Sequence, residues 1–134
     1  MKFINLVKKL NLPTGQYLVF GSGPLHIHGI RETRDIDICV KPEVYEELKS
    51  TGEWEEKTYH DGSRYLSKDM FEIVSDWDYG EKYCPTVSEL IERAEIIEGI
   101  PFAPLEDVLN WKKAYARPKD LEDVKLIKAY LKTK

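Results

Sequence analysis

FGSGPLHIHGIRETRDIDICV, residues 20–40, contains the motifs from which we predict the fold of this chain. It begins at the end of an apolar run, Tyr17–Phe20, that predicts a short strand. A Gly-Ser-Gly turn then leads into a segment with proline in its first turn, which predicts a short helix over residues 23–29. Polar and apolar residues alternate along Asp35–Val40, and this alternation predicts a half-buried strand. We therefore interpret the stretch as a strand, a glycine turn, a short helix and a second strand.

Two aspartates stand at the start of that second strand. Asp35 and Asp37 are two residues apart, so their side chains should point to the same side of the sheet as Cys39. Carboxylates held this close repel each other unless a cation lies between them, and Mg²⁺ is commonly held by one or two carboxylates together with substrate phosphates. The alternative is an exposed strand face that carries two aspartates, although aspartate is depleted in strands. The pair alone does not outweigh that alternative.

The Gly-Ser-Gly turn adds a second, independent signal. A glycine turn that runs into a helix exposes backbone N–H groups at the positive end of the helix dipole, and this arrangement suits phosphate. Gly21 and Gly23 would let the backbone approach a phosphate closely, and Ser22 adds a hydroxyl. The turn is not G-x-G-x-x-G, and it lacks the lysine of a P-loop. A phosphate turn and a carboxylate pair within one strand-helix-strand unit favour a site for a nucleotide and a metal.

The order of these motifs resembles the signature of the DNA polymerase beta-like nucleotidyltransferase superfamily, with Gly-Ser after a strand and D-x-D thirteen residues beyond the serine. GIRETRDIDI, residues 29–38, is similar to the small, single-domain prokaryotic members, and LEDVLNWKKAYARPKDLED, residues 105–123, to their C-terminal helices. The resemblance implies transfer of a nucleoside monophosphate from a nucleoside triphosphate, with ATP favoured, to a hydroxyl acceptor and release of pyrophosphate. It also implies two Mg²⁺ ions, with Mn²⁺ as a substitute.

Site residues follow from the same resemblance. In that superfamily the Gly-Ser turn holds the β- and γ-phosphates, which implies phosphate binding by Gly21 and Ser22. The two aspartates bind the metal ions, which implies that Asp35 and Asp37 are catalytic metal ligands.

The third metal-binding carboxylate of that superfamily comes from a later strand, and Glu72 in MFEIVSDW, residues 70–77, is the predicted counterpart. It lies mid-strand among apolar residues, where an unpaired charge would be costly if buried. Asp76 is on the same face near the end of the strand and is the reserve candidate. Many relatives have aspartate here, so Glu72 departs from the pattern. The alternative is an exposed position on an edge strand.

A lysine on the first C-terminal helix is the last predicted site residue. Lys112 lies at the centre of a stripe at helical spacing, formed by Leu105, Val108, Leu109, Tyr115 and Ala116. A lysine on an apolar face either extends its ammonium group to solvent or reaches a specific anion. In similar enzymes a helical lysine contacts the triphosphate, which implies that role for Lys112. Asp120 lies beside a second stripe, formed by Leu121, Val124, Ile127, Lys128 and Leu131. We consider Asp120 and Asp123 as two further candidates, either to orient Arg117 or to contact the substrate.

The remaining segments predict an α/β (α+β) fold of one domain, residues 1–134, with a core over about 14–103 and C-terminal helices over about 104–132. Its predicted architecture is the nucleotidyltransferase fold, a small mixed sheet flanked by helices with a C-terminal helical pair. Outside residues 20–40, the sequence predicts helices over 2–11, from Pro42 to near Gly52, around 86–94, and over about 104–116 and 119–132. It also predicts a hairpin of 54–60 and 63–67, strands at Met70–Ser75 and Ile96–Ile97, and a turn at 99–101.

Composition limits the partners. The chain has 134 residues and a net charge of −4, which argues against a protein that coats nucleic acid. From Lys112 onward, however, eight Lys or Arg residues face three Asp or Glu residues, so an anionic ligand suits the C-terminal segment. Cys39 and Cys84 show no C-x-x-C spacing, which predicts reduced thiols in a cytoplasmic protein, and the absence of a long apolar run predicts no membrane partner.

The acceptor stays open at this point, with a small molecule, a protein hydroxyl and an RNA end as candidates. A protein partner is a further candidate, because the short chain leaves little room for an acceptor-binding domain. One alternative function is a non-catalytic, nucleotide-binding or antitoxin-like partner protein with the same fold. A phosphate-releasing hydrolase is less favoured, because no dedicated water-activating residue is evident.

Overall fold

The computed structural model describes residues 2–59, 62–75 and 85–133. Within these ranges the chain forms six helices and seven strands. In chain order they are α1 (Phe3–Lys8), β1 (Tyr17–Phe20), α2 (Gly23–Ile27), β2 (Ile36–Val40), α3 (Pro42–Ser50), β3 (Glu55–Thr58), β4 (Arg64–Lys68), β5 (Phe71–Val74), α4 (Val87–Glu92), β6 (Glu95–Ile97), β7 (Ile100–Phe102), α5 (Leu105–Tyr115) and α6 (Pro118–Lys132).

All seven strands belong to one mixed sheet in the order β3-β4-β5-β2-β1-β7-β6. The β2–β5 and β1–β7 pairs are parallel and the other neighbours are antiparallel. The predicted mixed sheet flanked by helices is therefore confirmed. Because β2 lies between β1 and β5, its residues are held by hydrogen bonds on both edges, which suits a strand that carries site residues.

The sheet has an apolar core on each face. Ile36, Ile38 and Val40 pack on one face with residues of α1 and α3, as the alternation of β2 predicted. On the opposite face, Cys39 packs with Leu18 and with residues of α4, α5 and α6. Cys39 is only 2% exposed, so the strand is covered on both faces at this point rather than half-buried. The C-terminal helices provide the second cover.

One predicted segment differs from the structure. Residues 99–101 were predicted as a turn, whereas Ile100–Phe102 is strand β7, which pairs with both β6 and β1. The turn lies one residue earlier, where Glu98 and Gly99 both have positive φ angles of 50° and 83°. Such a pair suits a two-residue hairpin turn. A three-residue strand that contains Pro101 has too few positions to show an alternating pattern.

The predicted C-terminal helical pair is present, but its apolar stripes differ in detail. On α5 the buried face includes Trp111 and Lys112, whereas Tyr115 is 36% exposed. On α6 the buried residues are Asp120, Asp123, Val124 and Ile127, and Leu121 is 48% exposed. The helix is therefore rotated so that two aspartates face inward in place of Leu121. No helix in the described ranges is long and apolar enough to span a membrane.

Candidate active site

The centre of the site is a pair of carboxyl groups on two adjacent strands. Asp37 on β2 and Glu72 on β5 are direct partners in the parallel register, so their side chains emerge on the same face. The two carboxyl groups are close enough for Glu72 to act directly on the carboxyl group of Asp37. The pKa of Asp37 is raised to about 7, first by burial and then by the hydrogen bond and the charge of Glu72, with a smaller contribution from Asp35. Between the ordinary pKa of 3.8 and about pH 7, the pair therefore holds a proton that an ordinary carboxylate would have lost.

Gly21 lies directly against this pair. Its φ is +62°, and a Cβ atom at this position would collide with Oδ2 of Asp37. A side chain is therefore excluded both by backbone conformation and by space. Gly23 plays a different part from the one predicted, because its missing Cβ makes room for Val19 and Phe3 in the core. Of the two glycines, Gly21 belongs to the site and Gly23 belongs to the packing of α2 on β1.

Asp35 immediately precedes β2 and is exposed. Its charge nevertheless acts on Asp37, so three acidic side chains share this edge of the sheet. Within residues 2–59, 62–75 and 85–133, no group of three or more His, Cys, Asp or Glu side chains is arranged as a metal centre. The metal-binding role of Asp35, Asp37 and Glu72 stays a prediction. The reserve candidate Asp76 and the second cysteine, Cys84, lie outside the described residues.

Lys112 is buried, and carboxylates surround its ammonium group. Its Nζ lies 2.9 Å from Oδ2 of Asp123 and 3.6 Å from Oδ1 of Asp120. It also lies 4.7 Å from the centre of the Trp111 ring, which is a cation–π distance. A buried lysine is tolerated when it is paired in this way. Its charge reaches Asp37, whose pKa it lowers, so it faces the carboxyl pair.

The two inward-facing aspartates of α6 share Lys112, and each also binds a different arginine. Asp120 accepts hydrogen bonds from the guanidinium of Arg117, and the shortest is 2.6 Å, from Nε to Oδ2. Asp120 therefore orients Arg117, which is one of the two alternatives that we predicted for it. Asp123 holds Lys112 and Arg31. Arg117 also lies over the ring of Tyr115, 4.4 Å from its centre. The helical pair thus carries a set of ordered cations at its junction.

Arg31 is a site residue that the sequence did not identify. Its Nη2 donates to Oγ of Ser22 at 2.6 Å and to Oδ2 of Asp123 at 2.9 Å. Ser22 immediately precedes α2, but within the described residues its side chain makes no hydrogen bond that caps the helix. An arginine in a polar loop gives no periodic signal, and its partner Asp123 is 92 residues away in sequence. Only the fold brings these groups together.

Tyr59 forms a further part of the site that the sequence did not reveal. It stacks on Tyr65 with ring centres 4.2 Å apart. Burial raises the pKa of Tyr59, and the charges of Glu72 and Asp37 raise it further, so the phenol stays protonated beside the carboxyl pair. The aromatic ring provides a wall at the β3–β4 side of the site.

One cleft contains all of these groups. It has a volume of about 440 Å³ and is open to solvent. The six predicted site residues all line it, namely Gly21, Ser22, Asp35, Asp37, Glu72 and Lys112. Arg31, Tyr59, Arg117 and Asp123 line it as well. The structure therefore brings together residues from β1, β2, β5 and the C-terminal helices, while the individual roles of the six residues stay predictions.

Comparison with known proteins gives a fold relationship. No family model matches this chain, and no curated protein sequence matches it. Among solved structures, the solution structure of the antibiotic-resistance factor ANT(2″)-Ia is similar, with a TM-score of 0.57 and 17% sequence identity over 96% of this chain and 80% of that chain. The crystal structure of ANT(2″)-Ia in complex with adenylyl-2″-tobramycin is similar with a TM-score of 0.53 and 15% identity, over 96% of this chain and 84% of that chain. Both structures are of one nucleotidyltransferase, and this chain therefore has a nucleotidyltransferase-like fold.

Proposed function

We propose that this protein transfers a nucleoside monophosphate from a nucleoside triphosphate to a hydroxyl acceptor and releases pyrophosphate. The observation that carries the proposal is the pair of Asp37 and Glu72, register partners on adjacent strands, set beside Gly21 in one cleft. The similarity to solved nucleotidyltransferases supports nucleotidyl transfer in general. ATP is the favoured donor, with Mg²⁺ as the metal and Mn²⁺ as a substitute.

The donor set of the cleft fits such a metal. Hard divalent cations prefer carboxylate oxygens, and Asp35, Asp37 and Glu72 supply them. The proton that Asp37 and Glu72 share reduces the repulsion between them, and a divalent cation bound there would take its place. When bound, Mg²⁺ would stabilise the negative charge on the attacking and leaving oxygens of the phosphoryl transfer.

The residues of the chain itself supply phosphate binding and proton transfer. Gly21 lets the backbone approach a phosphate, and Ser22 offers its hydroxyl. Lys112 lines the same cleft, paired with Asp123, and is placed to contact the phosphates. Glu72 or Asp37 takes the proton of the acceptor hydroxyl. Catalysis of this kind depends on positioning and electrostatics, with no covalent enzyme intermediate.

Two observations bear on the acceptor. The similar protein ANT(2″)-Ia was solved with an adenylylated form of tobramycin, which is consistent with a nucleotide and a hydroxyl acceptor for a fold of this kind. The cleft volume of about 440 Å³ lies within the range of small-molecule sites, about 300–1,000 Å³. A small molecule is therefore the first acceptor class to test, followed by a protein hydroxyl and an RNA end.

The experiment is an incubation with ATP labelled at the α-phosphate, Mg²⁺ and a panel of these acceptor classes. We expect label to enter an acceptor, and we expect no label when the γ-phosphate carries it instead. Asp37→Asn should abolish the transfer, whereas Asp107→Asn should not, because Asp107 is a buried carboxylate outside the cleft. Binding of ATP with no transfer to any acceptor class would contradict the enzyme and favour the non-catalytic partner protein.

A further inference from the structure

A polar network links the C-terminal helix α6 to the predicted phosphate turn. Arg31, in the loop between α2 and β2, donates to Asp123 through Nε at 2.7 Å and through Nη2 at 2.9 Å. Nη2 also donates to Oγ of Ser22 at 2.6 Å, and Nη1 donates to the backbone carbonyl of Glu32 at 2.9 Å. Four of the five guanidinium N–H groups are thus used within the network. Arg31 is therefore engaged in holding protein groups rather than aimed as a charge at the open cleft.

These contacts determine which way the Ser22 hydroxyl points. A serine hydroxyl has one O–H donor and two acceptor lone pairs. Because Arg31 donates to Oγ, the oxygen of Ser22 is an acceptor on that side, and its own O–H is left to point toward another acceptor. The positive charge of Arg31 also polarises this O–H, which strengthens the bond that it donates. A phosphate oxygen in the cleft is an acceptor of the required kind.

Asp123 keeps Arg31 in this position. It is buried, with 4% of its surface exposed, and Lys112 lies 2.9 Å away on its other side. Burial alone would raise the pKa of Asp123, but the hydrogen bonds from Arg31 and Lys112 outweigh burial and lower it. The carboxylate is therefore ionised at neutral pH and binds the guanidinium by two parallel hydrogen bonds, a geometry that only arginine can provide.

We propose that Arg31, held by Asp123, is a positioning residue that fixes the Ser22 hydroxyl as a hydrogen-bond donor to a phosphate of the nucleotide. This inference rests on the proposed function, because it requires a nucleotide phosphate at the turn. A structural brace between α6 and the turn would have the same contacts. It would not, however, couple the effect of Arg31 on nucleotide affinity to the presence of the Ser22 hydroxyl. That coupling is the property to measure.

The test is a double-mutant cycle on the full chain with MgATP as the probe and calorimetry as the measurement. Ser22→Ala and Arg31→Gln should each weaken MgATP binding by about 10-fold, the effect of one charge-assisted hydrogen bond. The double variant should be no more than about 2-fold weaker than the weaker single variant, because each substitution removes the same bond. Arg31→Lys should not restore affinity, since an ammonium group cannot hold Asp123 and Ser22 in the fork geometry of arginine.

A matched control separates this effect from general destabilisation. Asp107 is also a buried carboxylate that accepts hydrogen bonds from Nε and Nη2 of an arginine, Arg93, but it does not line the cleft. Asp107→Asn should lower the melting temperature and leave MgATP affinity unchanged. Arg31→Gln should fold, because Lys112 still pairs with Asp123. If it does not fold, Arg31→Lys takes its place in the cycle with Ser22→Ala.

The outcomes are distinct. Independent losses, in which the double variant loses about 100-fold, would overturn the inference and leave the proposed function standing. Full affinity in Arg31→Gln or Arg31→Lys would overturn it in the same way. A wild-type protein that binds no ATP with Mg²⁺ would overturn the proposed function and this inference together. Coupled losses support the inference even when no acceptor has been found, because the cycle measures nucleotide binding alone.

Discussion

Asp37 and Glu72 are register partners on the parallel strands β2 and β5, and the charge of Glu72 acts on the carboxyl group of Asp37. Two acidic groups in this position would repel each other if both were ionised. The pair responds by retaining a proton, and the pKa of Asp37 rises to about 7. A proton and a divalent cation are therefore alternative ways to neutralise the same site. The competition between proton and cation should affect stability and metal binding, which can be measured before any substrate is known.

The first prediction concerns the pH dependence of stability without metal. The unfolded chain loses the Asp37 proton near the ordinary pKa of 3.8, and the folded chain near 7. Between these values the folded state holds the extra proton, so the free energy of unfolding should fall as the pH rises, by up to about 1.4 kcal/mol per pH unit. Asp37→Asn lacks this contribution. In EDTA, the melting temperature of the wild type relative to Asp37→Asn should therefore decrease from about pH 5 to about pH 8.

Comparison with the variant removes effects that both proteins share. Asp123 has a lowered pKa and contributes pH dependence of the opposite sign, but it does so equally in both. Excess Mg²⁺ should shrink the difference by replacing the proton. A melting-temperature difference that is constant between the two pH values would show that Asp37 is ionised throughout and would contradict the shared proton.

The second prediction concerns metal-dependent nucleotide binding. Triphosphate binding should require Mg²⁺ or Mn²⁺, because the acidic side chains at this edge of the cleft would otherwise repel the phosphates. Asp35→Ala and Asp37→Ala should weaken binding strongly in calorimetry. Glu56→Ala is a matched control, since Glu56 also interacts with cations, Lys49 and Arg64, but lies outside the cleft. Equal affinity for ATP with and without metal would refute the metal-binding role.

The third prediction concerns the phosphate turn. Gly21→Ala would place a Cβ against the carboxylate of Asp37 and would also strain a backbone with φ of +62°. Gly52→Ala is a close control, because φ there is +76° but no atom of the described residues lies within 4 Å of the added Cβ. Both variants should lose stability by roughly 1 kcal/mol from the backbone alone. Only Gly21→Ala should also lose ATP affinity in calorimetry, and equal affinity in the two variants would make the turn a structural connection.

Local patterns identified much of this site from the sequence. Gly21, Ser22, Asp35 and Asp37 lie within one strand-helix-strand unit, where turn chemistry and a period of two residues determine which side chains can meet. Lys112 was identified because a charge within an apolar helix stripe is unusual, and it is buried as that pattern indicated. These signals depend on residues close in sequence, so they can be recognised without knowledge of the tertiary structure.

Long-range pairings were beyond the sequence. The register that makes Asp37 the partner of Glu72 depends on the order of strands in the sheet, and several orders satisfy the same alternation. The rotation of α6 turned Asp120 and Asp123 inward and left Leu121 exposed, because cations from two other segments, Lys112 and Arg31, neutralise the aspartates. Hydrophobic periodicity alone favours the leucine in that position. The orientation of α6 is instead determined by charge complementarity with distant segments of the chain.

The last prediction tests Glu72 as the third carboxylate of the transfer reaction. Glu72→Gln keeps the size of the side chain and its capacity to hydrogen-bond Asp37, but it removes the charge. The variant should fold and retain much of its nucleotide affinity. Transfer should nevertheless fall by about 10²-fold or more, which corresponds to about 3 kcal/mol of lost transition-state stabilisation. Glu72 raises the pKa of Asp37, so the pKa of Asp37 should be lower in this variant, and Asp37 should remain able to bind Mg²⁺ at a lower pH.

Asp76→Asn is the comparison, and it should reduce transfer much less. The reverse ranking in the transfer assay would assign the third carboxylate to Asp76 and leave Glu72 as the group that holds the Asp37 proton.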